Sequence, residues 1–151
     1  MQNKTLTSGL LQGSDSTSDS LRFLVVDDDE TIATAVTNML KKAGANVKTV
    51  LTPEEAYEIC VNQSIDVLFT DLVMQNSDGL ALMEKIRAQD SSVGVVVMTS
   101  HAAPELASKA ANLGANGFLR KPFKYDECVT EAIKALNYRR EMLGLELLEE
   151  S

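Results

Sequence analysis

The sequence is short of several features, and each shortage excludes a class of protein. No apolar run approaches the roughly 20 residues of a membrane-spanning helix, so we expect no segment that crosses a bilayer. The first residues lack a basic stretch followed by an apolar one, and they therefore do not predict a secretion signal. The only cysteines, Cys60 and Cys128, lie far apart and outside any CxxC spacing, which favours reduced thiols buried on helices over a disulfide or a metal site. These expectations together favour the cytoplasm.

Positive charge is also scarce. Lys and Arg number 14 against 22 Asp and Glu, which gives a formal net charge of −8. A surface this acidic does not attract a polyphosphate backbone, and the one dense basic pair, Arg139-Arg140, is followed directly by Glu141. We therefore expect no direct binding of nucleic acid by this chain, although a protein partner that binds DNA is compatible with the charge.

The chain has 151 residues, 44% of them hydrophobic, which fits one globular domain with a real core. Residues 1–20 are rich in Ser, Thr, Gly, Gln and Asp, so we expect a disordered N-terminal tail. A domain over residues 21–137 and a helical extension or linker over 138–151 complete the predicted organisation. The extension carries apolar side chains, and two interpretations stay open: a frayed helix partly packed on the domain, or a short dimerising or docking helix.

Strand and helix patterns alternate from Arg22 onward. β-branched runs predict strands at about 22–26, 46–50, 66–70, 93–98 and 116–119. Apolar residues at helical spacing, with capping residues and glycine stops, predict helices at about 30–43, 53–61, 104–112 and 125–136, and one that is capped by Asp78 and runs to about residue 88. Residues 71–77 are predicted to be a loop, and an extension of the last helix through residue 140 stays open. This order predicts an α/β, doubly wound (βα)5 sandwich with helices on both faces of a parallel sheet.

Polar side chains stand at the predicted carboxyl ends of the strands, where such sheets bind ligands. They comprise Asp27, Asp28, Asp71, Thr99 and Lys121. Crowded carboxylates repel one another, so a divalent cation or a raised pKa is expected there. Carboxylates, Mg²⁺, a hydroxyl and a lysine together make a site for handling phosphoryl groups.

These residues stand in short motifs that match a known family. The motifs are Asp27-Asp28 after an apolar strand, Thr70-Asp71, Asp78-Gly79-Leu80, Met98-Thr99-Ser100 and Lys121-Pro122-Phe123. From about Arg22 to Leu136 the chain resembles the receiver domain of two-component response regulators. The resemblance implies a flavodoxin-like fold with the strand order 2-1-3-4-5.

The resemblance also implies a role for each residue of the site. Asp71 is the expected phosphoacceptor, which a histidine kinase or a histidine phosphotransfer protein phosphorylates. The expected Mg²⁺ (or Mn²⁺) ligands are Asp28 directly, Asp27 often through water, Asp71 and the backbone carbonyl of Val73. Thr99 is expected to hydrogen-bond the phosphoryl group and Lys121 to pair with it, while Phe118 matches the aromatic residue that rotates inward on activation. The Lys121–Pro122 bond is expected to be cis.

The chain departs from the family pattern at several positions. Gln75 replaces the usual proline, which should loosen the loop after Asp71. Val73 is apolar where many members are polar, so the backbone metal ligand is kept, while the water that attacks in dephosphorylation is expected to be placed differently. His101, near the mouth of the site, is either an influence on water access and phosphodonor fit or a solvated loop histidine. Phe118 has no tyrosine hydroxyl, so any switch at this ring must work by packing.

The residues leave three functions to distinguish. The first is a phosphorylation-dependent switch with self-catalysed transfer and hydrolysis, which changes a protein-interaction surface; the second is a pseudo-receiver that binds partners without phosphorylation. The third is a hydrolase with an aspartyl nucleophile, and it is disfavoured because Val73 stands where such enzymes carry a second aspartate.

The output of the chain is left open by the sequence. A downstream protein target is expected, and a homodimer through helix 4, strand 5 and helix 5 is an option that the family suggests. Only fifteen residues follow Leu136, too few for a DNA-binding or catalytic domain. The alternatives are a stand-alone receiver and a piece of a longer regulator.

Overall fold

The structure is a computed structural model, and it describes residues 21–74, 77–100 and 104–149. The predicted tail at residues 1–20, the departure at Gln75 and the lone His101 lie outside the described residues. Within them, five strands form one sheet: β1 (Arg22–Val26), β2 (Asn46–Val50), β3 (Val67–Asp71), β4 (Gly94–Thr99) and β5 (Gly117–Arg120).

The sheet is parallel, with the strand order β2-β1-β3-β4-β5. This is the doubly wound order that the family resemblance implied. The order reverses beside β1, where the chain passes from β2 on one side to β3 on the other. A crevice opens at such a reversal, outside the carboxyl ends of the strands, and the two central strands β1 and β3 both end at its rim.

In the described part of the chain, five helices cover the sheet: α1 (Glu30–Lys42), α2 (Pro53–Asn62), α3 (Gly79–Gln89), α4 (Pro104–Asn112) and α5 (Tyr125–Met142). Local signals fix where several of them begin. The side chain of Asp29 caps α1 by accepting from the N–H groups of Thr31 and Ile32. Thr52 caps α2, and Pro53 occupies its first turn, where a missing N–H costs nothing.

Two hydrophobic layers hold the sandwich together, because strands buried on both faces send alternate side chains to opposite sides. Phe23, Val25 and Phe69 pack on the side of α1 and α5. Leu24 and Leu68 pack on the other side, with α2, α3 and α4. All five residues of β3 are buried, so its last residue reaches the sheet edge from a rigid, central element.

The predicted loop at residues 71–77 contains a feature that the sequence patterns did not predict. Val73–Met74 pairs in antiparallel fashion with Ser77–Asp78, which makes a small hairpin between β3 and α3. Two-residue strands carry no periodicity that a sequence pattern could reveal. The hairpin brings the chain straight back to the end of β3, where α3 begins.

Helix α5 continues past the predicted domain boundary at residue 137 and ends at Met142. Gly144 stops it with φ of 73°, and the N–H of Leu145 donates to the carbonyl of Arg140 over 2.7 Å. The segment beyond, through Glu149, is not helical. It is tied back to α5 by two bonds: Asn137 Oδ1 accepts from the Leu148 N–H at 2.7 Å, and Asn137 Nδ2 donates to the Leu148 carbonyl at 3.0 Å.

Candidate functional site

Three strands deliver the charged residues of the site to one edge of the sheet. Asp27 and Asp28 follow β1 directly, Asp71 is the last residue of β3, and Lys121 follows β5. Ligand oxygens of the three aspartates all lie within 4.8 Å of one another. The sequence therefore predicted correctly that these strand ends bring carboxylates together.

Asp27 is fully buried, and both of its carboxylate oxygens are engaged. Oδ1 accepts from the N–H of Asp29 at 2.9 Å, and Oδ2 accepts from Lys121 Nζ at 2.7 Å. A buried carboxylate needs such partners, because an unpaired charge in the interior is strongly unfavourable. Asp27 is thus a fixed anchor, while Asp28 beside it is exposed toward the crevice.

Asp71 shares the same ammonium group, since Lys121 Nζ lies 3.3 Å from Asp71 Oδ2. Its other oxygen accepts from the N–H of Val73 at 3.2 Å. Burial raises the pKa of Asp71, and the charge of Asp27 adds to this, while Lys121 and the Val73 bond oppose it without cancelling it. For Lys121, burial lowers the pKa, but the bonds and charges of Asp27 and Asp71 outweigh it and leave the pKa raised.

The raised pKa of Asp71 predicts a pH dependence of stability in the absence of metal. The folded protein holds this proton more tightly than the unfolded chain, so the residue's contribution to stability falls as pH rises from the usual aspartate pKa through the raised one. We expect Asp71→Asn to remove this fall and to be more stable than the wild type at neutral pH. Urea unfolding in chelator at a series of pH values checks this. If the free energy of unfolding changed with pH in the same way for the wild type and Asp71→Asn, the prediction would be contradicted. The exposed Asp126→Asn is the control, and its free energy of unfolding should follow that of the wild type.

The donor set suits a hard divalent cation. Carboxylate oxygens are the ligands that Mg²⁺ prefers, and it binds through one or two of them while keeping several waters. Asp28 is exposed, while Asp27 and Asp71 are buried, and one ligand oxygen of each lies within 4.8 Å of the other two. Val73, the fourth predicted ligand, is positioned by the bond from its N–H to Asp71.

The two predicted switch residues lie on neighbouring strands. Thr99 is the last residue of β4, and its carbonyl accepts from the N–H of Lys121 at 2.8 Å. Phe118 lies in β5, and its side chain is turned outward with 41% exposure. The Lys121–Pro122 peptide bond is cis, as the resemblance implied.

Neither cysteine adds chemistry to the site. Both are free and on helices, as predicted, with Cys128 buried and Cys60 partly buried. Burial raises the pKa of each thiol to about 12, so both stay protonated and unreactive at neutral pH.

Two backbone contributions to the site were not predicted from the sequence. Asp29 caps α1 and also presents its N–H to Asp27, and Gly79 brings the start of α3 against the end of β3. The third aspartate of the Asp27-Asp28-Asp29 run was a signal for the first. The Asp78-Gly79 pair was recognised as part of a motif, but not as a close approach of two backbones.

Comparison with known proteins decides the family. The family model described as "Response regulator receiver domain" matches residues 23–133. The chain belongs to this family. The matched range includes all five strands of the sheet, apart from the first residue of β1, and the first half of α5.

Sequence and structural relatives agree with this assignment. The transcriptional regulator NtrC of Escherichia coli K12 is 34% identical over 117 residues, which cover 78% of this chain and 25% of NtrC. The chain thus spans about a quarter of the length of the curated relatives it matches first. The solved receiver domain of NtrX from Brucella abortus is 34% identical with a TM-score of 0.72, covering 76% of this chain and 97% of that one. A beryllofluoride-activated NtrC4 receiver domain dimer is 30% identical with a TM-score of 0.72, covering 78% of this chain and 98% of that one.

Among the residues that the structure describes, no helix is both long and apolar enough to cross a membrane.

The chain is similar, over its receiver domain, to the receivers of two-component response regulators of the NtrC and NtrX kind.

Proposed function

We propose that the receiver domain is a phosphorylation-dependent switch in which Asp71 accepts a phosphoryl group with Mg²⁺ (or Mn²⁺). One observation carries this proposal: the oxygens of Asp27, Asp28 and Asp71 lie within 4.8 Å of one another. Lys121 Nζ stands at 2.7 Å from Asp27 and 3.3 Å from Asp71. Three carboxylates and one ammonium at the carboxyl ends of β1, β3 and β5 supply the charge pattern that in-line phosphoryl transfer requires.

The transfer step uses an oxygen of Asp71 as the nucleophile. This oxygen attacks the phosphorus of the donor, the bond from phosphorus to the donor's leaving atom breaks, and the donor departs with that electron pair. Lys121 offers a compact positive charge to the phosphoryl oxygens. Asp28, Asp71 and the Val73 carbonyl would hold the Mg²⁺ ion, with Asp27 behind them. The bound ion would offset the negative charge of the transferring phosphoryl group.

The switch step follows from the geometry of β4 and β5. Thr99 stands at the end of β4, next to the backbone of Lys121, where its hydroxyl can approach a phosphoryl group on Asp71. Phe118 is half exposed on the neighbouring strand, so inward rotation would remove an apolar ring from water. Phosphorylation then biases an equilibrium between two states that already exists.

The partners are proposed at the level of class. The phosphodonor is a histidine kinase or a histidine phosphotransfer protein, and the output is contact with a downstream protein. A homodimer through α4, β5 and α5 is a further proposal. It is supported by the exposed Phe118 on β5 and by the NtrC4 relative, whose solved receiver domain is a dimer.

A phosphorylation-independent pseudo-receiver is the weaker alternative. Buried carboxylates such as Asp27 and Asp71 are unfavourable unless paired, and a module that never binds metal or phosphate has no need of them. A hydrolase is disfavoured because Val73 has no proton to donate to a leaving group.

Intact-mass spectrometry after incubation with acetyl phosphate tests the proposal. We expect the wild type to gain one phosphoryl group with Mg²⁺, and we expect no gain with chelator or in Asp71→Asn. The exposed Asp126→Asn is the matched control, and it should label like the wild type. A wild type that stays unlabelled under cold quenching would sink the switch and leave the pseudo-receiver.

A further inference from the structure

The chain leaves β3 at Asp71 and returns to it within a few residues. The short hairpin pairs Val73 with Asp78, and Gly79 follows as the first residue of α3. The N–H of Gly79 donates to the carbonyl of Leu72 at 3.1 Å, which closes the loop. The loop that begins at Asp71 is therefore held shut at Gly79.

Gly79 comes closer to Asp71 than any residue with a side chain could. A Cβ atom at Gly79 would lie 2.2 Å from the carbonyl oxygen of Asp71 and 3.0 Å from the Cα of Leu72. Both are backbone atoms, so no side-chain rotation can relieve the overlap. The described glycines with positive φ are Gly44, Gly114 and Gly144, so Gly79 is required here for space and not for its backbone angle.

The Asp71 carbonyl is seated between two contacts. On one side the hydroxyl of Thr70 donates to it at 3.1 Å, and on the other lies Gly79. The carboxylate of the same residue accepts from the N–H of Val73, which belongs to the loop that Gly79 closes. A shift of α3 away from β3 would therefore move the Asp71 backbone and Val73 together.

We propose that Gly79 is a positioning residue for the site. Its missing side chain lets α3 seat against the Asp71 carbonyl, and this seating fixes the Asp71 carboxylate and the Val73 backbone where metal and phosphoryl group bind. The expected effect of Gly79 on metal binding rests on the proposed function. The effect of Gly79 on the hydrogen bond between the Val73 N–H and Asp71 does not depend on that function.

Two alanine variants of equal steric severity test the proposal. A Cβ at Gly94 would lie 2.3 Å from the backbone carbonyl of Ala135, as severe an overlap as at Gly79. Gly94 is the first residue of β4, at the opposite edge of the sheet from the site. Gly94→Ala is thus a matched control, which loses stability as Gly79→Ala does but leaves the site in place.

Two readouts separate positioning from stability. Calorimetry on folded protein should show Mg²⁺ affinity about tenfold weaker in Gly79→Ala, as for other residues that orient metal ligands, and changed less than about twofold in Gly94→Ala. Nuclear magnetic resonance without metal should show that the Val73 amide resonance shifts and that its hydrogen exchanges faster with solvent in Gly79→Ala, but not in Gly94→Ala.

Several outcomes would overturn the proposal. One is a Val73 amide unchanged in Gly79→Ala, and another is an equal loss of Mg²⁺ affinity in both variants. If Gly79→Ala does not fold, Thr70→Val takes its place, because it removes the other contact on the Asp71 carbonyl. An unchanged Val73 amide and an unchanged Mg²⁺ affinity in Thr70→Val would also overturn the proposal. A wild type that binds no Mg²⁺ would refute the proposed function instead, while the metal-free amide still decides the role of Gly79.

Discussion

Replacing Lys121 with alanine is expected to lower the metal-free free energy of unfolding by about 3 kcal/mol, the usual scale for breaking a buried ion pair. Lys121 Nζ lies 2.7 Å from Asp27 and 3.3 Å from Asp71, and its side chain is only 9% exposed. Without it, two buried carboxylates face each other with no cation between them. Urea unfolding in chelator measures the loss.

Added Mg²⁺ should stabilise Lys121→Ala more than it stabilises the wild type, because the ion supplies the positive charge that the variant lacks. Lys134→Ala is the control, since Lys134 is 47% exposed and pairs with Glu131 on the surface of α5. Its cost should stay below about 0.5 kcal/mol. Equal losses in the two variants, or an equal response to Mg²⁺, would refute the electrostatic description of the site.

Replacing Arg139 with alanine is expected to cost about 3 kcal/mol and to leave the site's chemistry unchanged. Arg139 is buried at the opposite edge of the sheet, where it ties α5 to the segments before β3 and β4. Its guanidinium donates to Asp66 at 2.8 Å, Asp90 at 3.2 Å, Ser92 at 2.8 Å and Ser64 at 2.9 Å. Removing it takes one hydrogen-bond partner away from each of these four side chains.

Urea unfolding measures this loss, and the exposed Lys109→Ala on α4 is the control that should change little. Labelling by acetyl phosphate, expressed per folded molecule, should equal that of the wild type, since Arg139 lies across the sheet from Asp71. A folded Arg139→Ala protein that labels poorly would mean that the two edges of the sheet are coupled, contrary to this expectation.

The fold was predictable because its signals are local. β-branched runs such as Val95-Val96-Val97 predict buried parallel strands, and Thr52-Pro53 predicts the start of a helix, with no knowledge of the rest of the chain. Strand ends were predicted to within one residue, because a run of apolar residues stops where the chain meets water. The strand order came from the family resemblance, since periodicity carries no information about which strands are neighbours.

The charged part of the site was predictable for a related reason. The carboxyl ends of parallel strands lie at one edge of the sheet, so Asp27, Asp71 and Lys121 were expected at the same edge once the strands were assigned. Their chemistry follows from side chains that are visible in the sequence. The structure adds that Lys121 bonds both carboxylates, and that Asp27 is held by the N–H of Asp29.

The parts that were not predicted depend on backbone contacts between distant elements. Nothing local marks Gly79 as the residue that meets the Asp71 carbonyl, and nothing marks Arg139 as a buried residue and not a surface one. Arg139-Arg140 was treated as a pair, yet only Arg139 reaches the cluster around Asp66. The positive φ of Gly144 marks where α5 stops.

Locating the phosphoryl group by reductive trapping tests the central claim most directly. Borohydride reduces an aspartyl phosphate to homoserine, so wild-type protein treated with acetyl phosphate and Mg²⁺ and then reduced should carry homoserine at position 71 in peptide mass spectra. We predict this modification at Asp71 alone, dependent on Mg²⁺ and absent without acetyl phosphate. Homoserine at Asp27, Asp28 or another carboxylate, with Asp71 unmodified, would contradict it.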